Sequence, residues 1–161
     1  MEIQNTRSCS LKKFLLIIFF TCFPFFGCEN NDLKTEDSII ESLEVGKELW
    51  GLYNISSYTI KLSVLCFCPD HEAIDVKVVE GNIAKINGQS VTEYELENDF
   101  WYAKTIESLF VFIEQSHAQE PYDEVLLFNK TYGYPEEIYF DFDEMIADEE
   151  IGYVITSFTI N

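Results

Sequence analysis

Two cysteines separated by one residue, Cys66-Phe67-Cys68, are the residues of this chain whose type and spacing most plainly invite chemistry. They lie at the end of an alternating run, Tyr58 to Cys68. In an extended strand, cysteines two apart point to the same side with Cα atoms about 6.5–7 Å apart, at the upper limit for a disulfide. A bond between them therefore requires a local bend, which Pro69 can supply. A structural disulfide and a pair of buried thiols are the first two readings. A redox-active pair is the third, because strained disulfides are readily reduced. With His71 close behind, Cys66 and Cys68 also supply three soft-metal ligands for copper(I) or zinc, with His117 or Asp70 needed as a fourth. Asp141, Asp143, Asp148, Glu149 and Glu150 resemble a calcium loop only in charge, since Gly152 occupies the final ligand position. Tyr94, Phe100, Trp101 and Tyr102 are either core residues or an aromatic platform for a glycan or peptide. Two histidines, no G-x-S-x-G elbow, no H-E-x-x-H and no phosphate loop leave no catalytic set to nominate. No cofactor is expected, and the chain reads as a non-enzymatic binding or structural module, with thiol or soft-metal handling at Cys66 and Cys68 as the alternative.

Placement of that module comes from the other end of the chain. Arg7, Lys12 and Lys13 precede an apolar run from Phe14 to Phe26, which ends at Gly27-Cys28. The run is shorter than the about 20 residues a membrane span needs, and Pro24 interrupts it. A basic region, a short apolar region and a small residue form an export signal. Gly27-Cys28 resembles the lipobox of bacterial lipoproteins, although Phe25 and Phe26 stand where that pattern prefers leucine and a small residue. The resemblance implies a signal peptide over 1–27 and diacylglycerol, with palmitate-type acylation, on Cys28. Two or three acyl chains hold a membrane stably. The expected location is the cell envelope, on the outer membrane if the cell has two membranes.

Charge narrows the partners. Glu2 and three bases precede Cys28, so the 29 acids and 10 bases of the chain fall to 28 and seven, net −21. All seven are lysines. Such a surface repels nucleic acid and anionic lipid headgroups, and without arginine the usual bidentate carboxylate or phosphate clamp is missing. The membrane is thus met through the N-terminal lipid, no nucleic acid is bound, and the partner is an unspecified protein or glycan.

Elements follow from periodicity. Residues 28–37 are read as an acidic tether and 38–161 as one α+β domain. Ser38 and Glu41 form a capping box for a first helix to Trp50. Tyr58–Cys68, Ile74–Val78 and Ile83–Ile86 alternate as strands, the last two joined through Glu80-Gly81. Thr105 caps a second helix whose Ile106, Leu109, Phe110 and Ile113 share a stripe and which includes His117. Three further strands are expected over 123–129, 136–142 and 152–160. The order helix, three strands, helix, three strands predicts an antiparallel sheet of about six strands with both helices on one face.

Trp50, Tyr58, Cys66-Phe67-Cys68-Pro69, Gly133-Tyr134-Pro135 and Asp141 together resemble a family of small bacterial lipoprotein or secreted domains of unknown function marked by C-x-C and G-Y-P. The resemblance spans Ser38 to Ile160. It implies a compact α+β envelope domain and assigns no activity.

Overall fold

The computed structural model describes residues 33–69, 71–146 and 148–161, with side chains of the first helix described from Ser42 onward. The export signal and Cys28 lie outside the described residues. The order is α1 (Leu33–Tyr53), β1 (Tyr58–Cys66), β2 (Ile74–Val79), β3 (Asn82–Ile86), β4 (Gln89–Ser90), α2 (Glu93–Asn98), α3 (Ile106–His117), β5 (Asp123–Phe128), β6 (Pro135–Asp141) and β7 (Ile151–Ile160). Seven strands form one antiparallel sheet in the order β4-β3-β2-β1-β7-β6-β5. The α+β reading stands, with one strand and one helix more than expected.

Each half of the sheet is a meander, and β1 paired with β7 joins them. Alternation along β1 buries Tyr58, Ile60 and Leu62 on one face. On the opposite face Lys61 stands across from Asp75 of β2, a cross-strand pair of opposite charge. Val76 and Val78 of β2, Ile138 and Phe140 of β6, and Tyr153 and Ile155 of β7 complete the buried layer. Ile106, Leu109, Phe110 and Ile113 of α3 fill it from above. Trp50 of α1 packs edge-on to Tyr58, so α1 and α3 both cover the face that carries Tyr58.

Turn chemistry sets the β4-β3-β2-β1 meander. Glu80-Gly81 and Asn87-Gly88 both place two consecutive residues at positive φ, the conformation of a two-residue hairpin turn. The second turn adds β4, a two-residue polar strand with no periodicity to reveal it.

Three further boundaries differ from expectation. First, α1 starts at Leu33, so the described part of the acidic tether, 33–37, is helical and Ser38 lies inside the helix. Neither Gly nor Pro lies between Leu33 and Ser38 to break the helix. Its other end is closed by Asn54, at φ 48°. Second, β1 stops at Cys66, two residues early, because the chain bends over Phe67–Pro69. Third, the stretch from Ser90 to Lys104, read as irregular, contains α2. Thr92 and Glu95 form a reciprocal capping box there, with Thr92 N–H donating to Glu95 at 2.8 Å and Glu95 N–H to Thr92 at 3.3 Å.

Burial also sets a pH limit on the fold. It pushes the Tyr153 hydroxyl up to about 12, and raises Tyr58, Tyr102 and Tyr134 above the ordinary tyrosine value. For each, the folded value exceeds the unfolded one. The stability they contribute is complete below about pH 10 and is lost as pH rises toward 12. Tyr153 alone is expected to steepen the loss by up to about 1.4 kcal/mol per pH unit in that window. Tyrosinate absorbance at 295 nm should therefore rise together with loss of circular dichroism. Smooth titration of all nine tyrosines near pH 10 with the dichroism unchanged would contradict this.

Candidate functional site

The cysteine pair sits where β1 ends. Cys66, the last paired residue, lies opposite Ile151 of β7. The bend that follows brings the Cα atoms of Cys66 and Cys68 to 5.2 Å, well inside the disulfide range, and the two sulfurs are at bonding distance. This is shorter than the extended spacing, and the bend supplies the difference. A pair of buried thiols requires both cysteines to lie on the core face. Instead each is half-buried and outside the core cluster, Cys66 as the last residue of β1 and Cys68 in the bend beyond it. Phe67 between them is 78% exposed, and Leu65 is 41% exposed.

His71 does not join the sulfurs. Its ring stacks on Tyr102 with centroids 4.5 Å apart and meets Trp101 edge-on at 6.1 Å. His117 is engaged elsewhere, its Nδ1 lying 3.1 Å from Glu124 Oε2, which ties α3 to β5. Among the described residues no group of three His, Cys, Asp or Glu side chains is placed to hold a metal ion. Asp141 and Asp143 serve the turn after β6, accepting from the backbone N–H groups of Asp143 and Met145 at 3.2 and 2.9 Å. The aromatic segment divides. Tyr102 is buried and Phe100 packs against the core, whereas Tyr94 and Trp101 are exposed. Lys104, whose pKa burial lowers, donates to the Trp101 carbonyl at 3.0 Å.

Trp50, Tyr58 and Tyr134 do come together. Trp50 meets Tyr58 edge-on at 5.5 Å and Phe158 at 5.9 Å, while Tyr134 stacks on Phe158 at 4.7 Å. At the centre, the Tyr58 hydroxyl donates to Glu107 Oε2 at 2.9 Å and accepts from Ile106 N–H at 2.8 Å. The indole N–H of Trp50 donates to the other Glu107 oxygen at 3.1 Å. Ile106 is the first residue of α3, and its amide has no partner within the helix, so a β1 side chain caps α3. Burial holds the Tyr58 hydroxyl protonated far above its ordinary value, which keeps it a donor. Sequence reasoning missed Glu107. The available signal was an acid two residues after the Thr105 cap, where the helix dipole favours it.

Gly133-Tyr134-Pro135 closes the β5–β6 connection against α1. Asn129 organises that loop: its side-chain oxygen accepts from Thr131 and Tyr132 N–H, and its amide donates to Glu136 at 2.7 Å. Gly133, at φ 81°, lies directly against Gly46 of α1. A Cβ on Gly133 would run into the Gly46 carbonyl oxygen and stand 2.9 Å from both Leu49 Cβ and Trp50 N.

These features define a small α+β domain with an aromatic, hydrogen-bonded junction at its core and a half-exposed cysteine pair at one strand end. The sequence pattern described as Family of unknown function (DUF6174) matches residues 42–160, and the chain belongs to that family. No curated protein and no solved structure matches the chain.

Proposed function

We propose that this chain is a lipid-anchored module of the bacterial cell envelope that works by binding or structural interaction. The observation that carries the reading is the Phe14–Phe26 apolar run closed by Gly27-Cys28 and followed by an acidic domain. Three of the polar candidates have structural partners: His117 pairs with Glu124, and Asp141 and Asp143 accept from backbone N–H groups of the turn after β6. Among the described residues no helix is long and apolar enough to cross a membrane.

Cells expressing the full chain and fed an alkyne-bearing palmitate analogue are expected to label it. Cys28→Ala should abolish the label and shift the protein out of the membrane fraction, whereas Cys22→Ala should change neither. Equal labelling and membrane recovery of the Cys28→Ala protein would overturn the reading. Cross-linking of the anchored and unanchored forms in intact cells then reports whether tethering sets the partner.

A further inference from the structure

We infer that the Cys66–Cys68 bond is an exchangeable disulfide whose reductant is a protein dithiol, so that the end of β1 accepts a pair of electrons. This goes beyond the binding role and does not depend on it. The first ground is position. The bond closes a loop with a single residue between its cysteines, a separation of two. A cross-link confers stability largely by restricting the unfolded chain, and that restriction shrinks with the loop. The core is assembled without it: neither sulfur belongs to the buried cluster, and the β1–β7 ladder is already complete at Cys66.

Access is the second ground. Thiol–disulfide exchange needs an attacking sulfur to reach the bond along its axis. Cys66, Phe67, Cys68 and Pro69 together line a shallow surface hollow, and the bond is flanked by the exposed side chains of Leu65 and Phe67. Two exposed apolar side chains beside a reactive bond suit a protein surface better than a small solute.

Charge is the third. The chain carries a net charge of −19, and Glu150 directly precedes Ile151, the residue paired with Cys66. Anionic small thiols such as glutathione are repelled from such a surface, while a partner with a neutral or basic rim is not.

The exchange balances within itself. A thiolate of the partner attacks one sulfur of the Cys66–Cys68 bond. That bond breaks, a mixed disulfide forms, and the other cysteine leaves as a thiolate and takes up a proton. The partner's second thiolate then attacks the mixed disulfide and releases the remaining cysteine, which is protonated in turn. The partner ends as a disulfide, having given up two electrons and two protons, and Cys66 and Cys68 end as thiols.

The test uses the full-length protein in detergent, with alkylation read by mass spectrometry on the peptide that carries both cysteines. Dithiothreitol at about 1 mM is expected to open the bond in the folded protein, leaving the melting temperature within about 6 °C. Among monothiols, cationic cysteamine should form the mixed disulfide roughly tenfold faster than anionic glutathione at low salt, the gap closing as salt screens the charge. The Cys66→Ser/Cys68→Ser double variant should melt close to the parent. A bond that opens only when the domain unfolds, or a double variant that loses much of its stability, would overturn the proposal. Glutathione reacting as fast as cysteamine at low salt would overturn the choice of partner.

Discussion

Replacing Gly133 with alanine is expected to lower the melting temperature by roughly 10–20 °C. Two costs add. At φ 81° an L side chain sits in the left-handed region, which costs about 1–3 kcal/mol. The new methyl also meets backbone, namely the Gly46 carbonyl and Trp50 N, where no side chain can turn aside. Overpacking of that kind costs roughly 1–3 kcal/mol more, because α1 must lift from the β5–β6 loop. Gly81→Ala is the control. Its φ is 78° but nothing lies within 4 Å of the new methyl, so it should lose about 1–3 kcal/mol, the conformational part alone. Urea unfolding of both variants separates the terms. Equal losses would mean that α1 and the Gly133 loop do not touch as described.

The second large effect is expected at Tyr58. Tyr58→Phe retains the ring, its edge contact with Trp50 and its place under Phe158. It removes one oxygen that serves two neighbours. Ile106 N–H loses its buried acceptor, at about 1–3 kcal/mol, and Glu107 loses one of its two donors. Glu107 is open to solvent, so water replaces much of the second loss. A net destabilisation of roughly 2–3 kcal/mol is expected, measured by urea unfolding followed by circular dichroism. A double-mutant cycle with Glu107→Ala should show a coupling of about 1 kcal/mol. Additive losses would break the link between β1 and the start of α3.

Local signals in the chain were informative about elements. The Thr105 cap and the 106, 109, 110, 113 stripe located α3, and alternation located six of the seven strands to within one or two residues at most ends. The missed elements have local causes. Gln89–Ser90 is too short and polar to show a period, and its strand exists because the Asn87-Gly88 turn folds it back on β3. The helix Glu93–Asn98 was announced by Thr92 and Glu95, but buries no residue, so no apolar stripe accompanied its cap.

The chemical candidates fared differently, since their meaning depends on distant parts of the chain. Cys66 and Cys68 were legible as a pair, whereas their half-exposed position depended on where β7 stops pairing with β1. His71 looked like a third ligand by adjacency, yet Tyr102 holds its ring. Trp50, Tyr58, Gly133 and Tyr134 stood out as a motif without a stated purpose. Only packing showed that they meet in one junction, with Glu107 as the unannounced acceptor.

By itself, then, the sequence determined the α+β class, the order of most elements, the acidic surface and the expectation of an anchor at Cys28. Each of these depends on composition or on residues within a few positions of one another. The tertiary structure decided the sheet order, the contact between Gly46 and Gly133, the capping of α3 by Tyr58 and the exposure of the cysteine pair. Those depend on which distant segments share the interior, and periodicity carries no record of that choice.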